Sequence, residues 1–178
     1  MESEDAYQQT PETKKGDGMT DRELAFTPAY ELVKLVADKK VSPVALTRVF
    51  LERIERLNPE LNAYLTVTAD EAMESAKAAE QAVMDGQELG PLHGVPVSVK
   101  YLEATPGIRT TFGSLIFKDY VPDFTSGVAE RVKTSGAVML GKTNLDEFAM
   151  GSSNMTSFFG PVINPWQRAG DEIGRAHV

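Results

Sequence analysis

The chain has 178 residues, 42% of them hydrophobic and 25% charged, which is the composition of a globular protein with one substantial core. With no cysteine and only two histidines, it cannot form disulfides or thiolate nucleophiles, and it has too few of the usual ligands for a zinc site. The net charge of -8 repels phosphate backbones, so we expect no direct binding to nucleic acid.

The first residues, 1–18 (MESEDAYQQTPETKKGDG), are almost wholly polar. Such a segment buries too little apolar surface to offset the entropy of ordering it, so we predict a disordered tail. It also lacks the apolar centre of a signal peptide, and no run in the chain approaches the roughly 18 apolar residues of a membrane span. We therefore expect a cytoplasmic protein that does not contact a membrane.

Three helices are predicted in the first half of the chain. The first begins at Thr27 and the second at Ser42, each a capping residue followed by a proline that suits the first helical position. The third begins at Thr68 with a capping-box sequence and ends near Gly86, a residue suited to the helix C-terminus. The second helix has the clearest amphipathic stripe.

The pattern then changes to strands. Valines alternate over residues 95–99, which predicts a strand that ends at Lys100, and Pro96 inside it indicates an edge or irregular position. A further helix over 126–135 and a short buried strand over 137–140 follow. This alternation of helices and buried strands predicts an α/β fold.

The run GAVMLGKT, residues 136–143, matches the phosphate-loop pattern. A phosphate loop follows a strand and bends around the phosphates, whereas here a helix is predicted before Gly136 and the free positions are apolar. We therefore expect no nucleotide binding, although a nucleotide-binding module remains the alternative from another functional class. Lys142 is then expected to be a strand-end lysine beside a turn.

Two weaker patterns point to no functional site, and two serine-hydrolase motifs are absent. His93 has no partner histidine nearby and is expected to be a structural hydrogen-bonding residue. The glycosylation pattern at Asn154 is expected to be a chance match, because no secretory signal accompanies it. Neither the nucleophile elbow of esterases nor the serine and lysine pair of penicillin-recognising enzymes occurs in the sequence.

The residues around Lys100 indicate a functional role for this lysine. The run GPLHGVPVSVK, residues 90–100, resembles the strand and catalytic lysine of the amidase-signature family. Further family-like blocks follow in the same order, which makes the resemblance far more specific than one pattern: GIRTTFGS at 107–114, GAVMLGKTN at 136–144, DEFAMGSS at 146–153, and FGP with NPW within 159–166. The resemblance covers residues 27–166, and we assign 19–166 to the amino-terminal part of an amidase domain.

The resemblance implies a mixed sheet covered by helices on both faces, incomplete in this chain. It also implies a catalytic triad of a nucleophilic serine, a bridging serine and a lysine, with no cofactor and no metal. Lys100 matches the lysine of that triad, and the substrate would be a small amide. Met150, Gly151 and Ser152 match the loop that lines the substrate pocket.

Two departures from the family pattern matter. Tyr101 stands where the family usually has an aspartate, so a carboxylate that could orient local hydrogen bonds is missing. After Trp166 the family leads into the segment that holds both serines, whereas here residues 167–178 follow. We expect these to be a non-family tail of artefactual origin, and the chain as given to be inactive.

The resemblance leaves two activities open. The first is a carbon–nitrogen hydrolase of the Ser-Ser-Lys class that acts on a small linear amide. The second is the A subunit of a glutamyl-tRNA(Gln) amidotransferase, which releases ammonia from glutamine for partner subunits. The acidic charge of this chain is compatible with the second activity, because a partner subunit would hold the tRNA.

Overall fold

The structure is a computed structural model that describes residues 18–151 and 156–165. The predicted terminal tails, apart from Gly18, lie outside these residues, as do Ser152 and Asn154. Within the described residues, no helix combines the length and the apolar character needed to cross a membrane.

Helices make up most of the first half of the described chain. The longest begins as predicted, because Ser42 Oγ accepts a hydrogen bond from the Ala45 amide at 3.0 Å and a proline occupies the first helical position. The α-helices are α1 (Asp21–Phe26), α2 (Ala29–Ala37), α3 (Pro43–Leu61), α4 (Ala69–Met84) and α5 (Gly127–Thr134), with short 3-10 helices at Leu115–Phe117 and Glu147–Ala149.

Two predicted side-chain capping bonds do not form. Thr27 Oγ1 donates to the Glu23 carbonyl at 2.7 Å, so it closes the end of α1, a six-residue helix too short for its periodicity to be read from the sequence. Thr68 occupies the N-cap of α4, as predicted, but its Oγ1 donates to the Met139 carbonyl at 3.3 Å, so the predicted capping box is absent. In both cases the hydroxyl has a backbone carbonyl within reach, which competes with the capping bond. The predicted end of α4 before Gly86 is confirmed.

Three strands form a mixed sheet in the order β1-β3-β2, where β1 is Tyr64–Val67, β2 is Pro96–Lys100 and β3 is Val138–Thr143. The central strand β3 pairs antiparallel with β1 and parallel with β2. The prediction of an α/β fold with a mixed sheet is confirmed, and so is the end of β2 at Lys100. Strand β1 was not predicted, and β3 was predicted to end at residue 140, three residues too early.

Two apolar clusters hold the helices and strands together. The first joins α1, α2 and α3 to Val83 and Val95, and the second packs Ala72 and Ala76 of α4 against Val138 and Leu140 of β3. The small alanines let the helix approach the sheet closely, and the buried valine and leucine fill the space that remains. The central strand is therefore fixed from one side by α4 and at its edges by both neighbouring strands.

An irregular register shapes β3 near its end. Val97 of β2 lies opposite Met139 while the next residue, Ser98, lies opposite Gly141, so one residue of β3 is skipped. Gly141 has φ +150°, and a Cβ at this position would lie 2.2 Å from the Thr66 carbonyl oxygen. The glycine is therefore required by close strand packing, and this accounts for its place in the phosphate-loop pattern.

Candidate active site

Lys100 is the last residue of β2 and is half-buried. It lies opposite Thr143 of β3, whose carbonyl accepts a hydrogen bond from the Tyr101 amide at 2.9 Å. The Glu103 amide donates to the Lys100 carbonyl at 2.9 Å, so the chain turns immediately after the strand. The backbone of Lys100 is thus fixed on both sides, and its side chain leaves the sheet at a defined point.

Tyr101, which replaces the aspartate of the family pattern, is completely buried. Its hydroxyl lies 2.6 Å from Thr66 Oγ1 of β1 and accepts a hydrogen bond from Arg109 Nε at 3.0 Å. Its ring meets Phe159 edge to face, with 6.4 Å between the ring centroids. The tyrosine therefore has satisfied polar contacts and aromatic packing where a carboxylate was expected.

Lys142 is not the strand-end lysine beside a turn that the sequence predicts. It lies inside β3, and its side chain is fully buried, with 0% of its surface exposed. Its Nζ donates to the Glu103 carbonyl at 2.6 Å and to Thr110 Oγ1, and it lies 5.5 Å from the centroid of the Tyr101 ring. The prediction failed because the strand continues past Gly141, so no turn exposes the lysine.

Burial changes the acid–base properties of Lys142. Desolvation lowers its pKa from 10.5 to about 8, against an opposing effect of the Glu103 carboxylate, which raises it. The Glu103 carboxylate itself accepts a hydrogen bond from Ser126 Oγ at 2.5 Å. Lys142 Nζ thus donates to two uncharged oxygens, while the Glu103 carboxylate is hydrogen-bonded to Ser126.

The turn after Lys100 is connected to the loop of the predicted substrate residues. The Phe112 amide donates to the Tyr101 carbonyl at 3.2 Å, and the Phe148 amide donates to the Phe112 carbonyl at 2.7 Å. Phe148 and Ala149 both have positive φ, at 51° and 57°, a conformation that costs energy in residues other than glycine. Two backbone hydrogen bonds therefore link the turn after Lys100 to a strained loop that begins beside Met150.

The predicted substrate residues occupy the end of this loop. Met150 is 82% exposed, and its amide donates to the Glu147 carbonyl at 3.0 Å. Gly151 packs against the Asp146 side chain so closely that a Cβ would lie 2.6 Å from Asp146 Oδ2. Ser152 lies outside the described residues. Met150 is thus exposed, while a side chain at position 151 would require the Asp146 carboxylate to shift.

Two buried side chains that the sequence analysis did not single out hold the segment after this loop. Asn144 donates to the carbonyls of Asn62 and Gly160 at 3.1 and 2.9 Å, and its Oδ1 accepts from Ser157 Oγ at 2.7 Å. Asp146 Oδ1 accepts from Thr156 Oγ1 at 3.1 Å. Both residues lie in the family-like blocks, which was the only signal of their importance in the sequence.

The weaker sequence candidates have structural explanations. His93 Nε2 lies 2.9 Å from the Ala79 carbonyl oxygen, which agrees with a structural role. Residues 138–143 form a strand and not a loop, so their amides cannot converge on a phosphate. In the part of the chain that the structure describes, no group of three or more histidine, aspartate or glutamate side chains could hold a metal ion.

The site thus contains a half-buried lysine at a strand end, and two backbone hydrogen bonds link the turn after it to an exposed loop. A lysine that loses its proton in such surroundings can act as a base toward a hydroxyl. The neighbouring buried lysine has no exposed surface through which to meet a substrate.

Comparison with known proteins gives consistent matches. The family model described as Amidase matches residues 45–171. The chain is 52% identical over 134 residues to the A subunit of the glutamyl-tRNA(Gln) amidotransferase of Granulibacter bethesdensis, covering 75% of this chain and 27% of that protein. It is 47% identical over 139 residues to the protein of the same name in Methylobacillus flagellatus, covering 78% and 28%.

Solved structures agree with these sequence matches. A bacterial aryl acylamidase of the amidase-signature enzymes superposes with a TM-score of 0.74 at 33% identity, covering 80% of this chain and 30% of that one. The chain thus spans less than a third of the length of each of these proteins. The range that the family model matches, residues 45–171, includes β2, β3 and the loop at Met150.

Proposed function

This chain belongs to the amidase family, and from that premise we propose that it is part of an enzyme that breaks the carbon–nitrogen bond of an amide, with Lys100 as its catalytic base. The proposal rests on the position of Lys100, which is half-buried at the end of β2. Its turn is bonded through Phe112 to the loop that presents Met150. Because backbone hydrogen bonds connect the turn after the base to the exposed loop, they can hold a bound amide and the base in a fixed relative position.

In the proposed reaction, neutral Lys100 accepts a proton from a bridging serine, which takes one from a nucleophilic serine. That serine oxygen attacks the amide carbonyl, and backbone amides stabilise the negative charge on the carbonyl oxygen. The carbon–nitrogen bond breaks as the nitrogen takes a proton and leaves as ammonia or an amine. Water then releases the acyl group as a carboxylate. Both family serines would come from sequence beyond these 178 residues.

Met150, Gly151 and Ser152 are proposed to line the pocket for the amide. Met150 has the exposure that this role needs, and a flexible thioether side chain adapts to an apolar part of a ligand. Gly151 brings the backbone close to the Asp146 carboxylate, which fixes the direction of the loop. Asp146 would therefore set the shape of the pocket without touching the substrate.

Of the two activities, we propose that of the amidotransferase. Identity to the A subunits of glutamyl-tRNA(Gln) amidotransferases reaches 52%, whereas identity to the aryl acylamidase is 33%. We propose glutamine as the amide substrate and partner subunits as the recipients of ammonia. A stand-alone amidase that acts on a small linear amide is the second candidate, supported by the structural similarity to the acylamidase.

The experiment uses the protein expressed from its own gene and measures ammonia release from glutamine and, separately, from acetamide. Turnover of glutamine with little turnover of acetamide supports the amidotransferase activity, and the reverse supports the stand-alone amidase. Absence of ammonia release from both amides, with and without glutamyl-tRNA and added partner subunits, would refute the proposed function.

A further inference from the structure

Lys142 is a buried cation for which the proposed reaction has no use. Its side chain is fully enclosed, so it cannot meet a substrate, yet burying an ammonium group carries a desolvation cost. A hydrophobic residue of similar length would fill the same space without that cost. The cost of burying this charge therefore directs attention to the groups that Lys142 binds.

The two hydrogen bonds of Lys142 reach both ends of one segment. The Glu103 carbonyl lies in the turn directly after Lys100, and Thr110 lies in the stretch that leads to Phe112. Thr110 Oγ1 donates its own proton to the Ile108 carbonyl at 3.0 Å, so its oxygen is free to accept from the ammonium. The lysine thus ties the beginning of the segment to its end.

The charged and titratable groups around Lys142 do not form a simple ion pair with it. The Glu103 carboxylate is bonded to Ser126, and the Arg109 side chain is bonded to the Tyr101 hydroxyl. The Tyr101 ring faces the ammonium at 5.5 Å, a distance at which a cation and an aromatic face attract each other. The bonds from Lys142 to the backbone and to Thr110 are therefore directional contacts that fix a geometry.

We propose that Lys142 is a positioning residue for the amide-cleaving site, which holds the turn after Lys100 through the Glu103 carbonyl and the Thr110 hydroxyl and thereby orients the Lys100 side chain. The inference rests on the proposed role of Lys100. The backbone of Lys100 is fixed by β3 on one side and by the Glu103 amide on the other. Loss of the bond from Lys142 to the Glu103 carbonyl would loosen the turn whose Glu103 amide holds the Lys100 carbonyl. Small displacements of a base lower turnover strongly.

The test compares matched variants of the protein expressed from its own gene. Thr110→Val removes the acceptor hydroxyl but keeps the shape of the side chain, and Thr110→Ser keeps the hydroxyl. Lys142→Met removes the donors at similar length. Lys118→Met is the control, because the Lys118 side chain is 65% exposed.

The first measurement is an NMR pH titration of the Lys100 side chain in protein labelled at the lysine Cε, with the signal assigned by Lys100→Arg. We expect Thr110→Val and Lys142→Met to move the midpoint of the Lys100 signal by about half a pH unit or more, because its surroundings change. Thr110→Ser and Lys118→Met should leave the midpoint where it is in the wild type. An unchanged midpoint in folded Thr110→Val would overturn the proposal even if Lys142→Met fails to fold.

The second measurement separates kcat from KM for ammonia release from glutamine. We expect kcat to fall about tenfold in Thr110→Val with KM nearly unchanged, and Thr110→Ser to restore it, because orientation of a base acts on the chemical step. If kcat and the unfolding free energy fall together while the Lys100 midpoint stays fixed, Lys142 is only a stabilising residue. If the wild type releases no ammonia, the proposed function fails, and the NMR titration still decides the role of Lys142.

Discussion

The ends of β2 and β3 look alike in the sequence but differ in the structure. Each is an apolar run that leads to a lysine, Lys100 in one and Lys142 in the other. In β2 the strand stops at its lysine and the chain turns, so Lys100 stays half-buried. In β3 the strand continues to Thr143 and the lysine is enclosed. The exposure of each lysine thus depends on where its strand ends and on the segment that folds over it.

This difference separates two kinds of role. A half-buried lysine can exchange its proton with a substrate and with water, which a base must do. A fully buried lysine can only bond to its surroundings, and its charge then affects stability. Variants of the two lysines should therefore differ in what they change, with Lys100 affecting turnover and Lys142 affecting stability.

The largest effect is expected for Lys100→Ala. We expect turnover of the preferred amide to fall at least about a hundredfold, because the variant removes the base of a coupled triad. The unfolding free energy should change by less than about 0.5 kcal/mol, since the removed group is not fully buried. Ammonia release and urea unfolding measure the two quantities, with Lys118→Ala as the control. Comparable rates in wild type and Lys100→Ala would make the assignment wrong.

The next prediction concerns pH and Lys142. Its pKa in the folded protein is about 8, below the usual 10.5, so between these values the unfolded chain binds more protons. The unfolding free energy should therefore rise with pH across this window, by up to about 3 kcal/mol. Urea unfolding from pH 7 to pH 10 measures the rise, which Lys142→Met should abolish and Lys118→Met should retain.

The upper pH limit of that measurement has a physical reason. Burial raises the pKa of Tyr64 above its usual 10.0, so the folded state loses stability as pH rises past that value. Below pH 10 this opposite effect is small. A wild-type protein whose stability is flat or falls between pH 8 and pH 10 would show that Lys142 does not carry the cost of a buried charge.

A smaller effect is expected for Tyr101→Phe. The variant keeps the ring that faces Lys142 but removes the hydroxyl that contacts Thr66 and Arg109. We expect a loss of about 1–2 kcal/mol in unfolding free energy, because Thr66 Oγ1 and Arg109 Nε lose a partner. Tyr30→Phe is the control, since Tyr30 is exposed, and its loss should be below about 0.5 kcal/mol. Equal losses in both variants would contradict a special role of the buried hydroxyl.

The smallest effect is expected on adding nucleotide. We expect no specific binding of Mg-ATP, because residues 138–143 form a paired strand whose amides cannot converge on a phosphate. Isothermal titration calorimetry with Mg-ATP measures this directly. A dissociation constant in the low micromolar range that disappears in Lys142→Ala would revive the nucleotide-binding alternative.

Local signals in the sequence were enough wherever a residue's own neighbours determined its structure. The start of α3 at Ser42 and the end of β2 at Lys100 were predicted correctly, because a capping serine, a proline and alternating valines act over a few residues. The family blocks also indicated the family, which the match of the family model to residues 45–171 confirms. Strand β1 was missed because its four residues carry too little pattern.

Long-range contacts decided the rest. The Thr68 hydroxyl donates to a carbonyl of β3 and makes no capping bond to its own helix, and Gly141 is required by the approach of Thr66. Lys142 is buried because Glu103 and Thr110, distant from it in the sequence, close over it. Local sequence was thus enough to identify the helix with a strong cap at Ser42, the strand that carries Lys100, and the family. Which lysine is enclosed became clear from the folded chain alone, because desolvation depends on every segment that packs against a side chain and not on the residues beside it in the sequence.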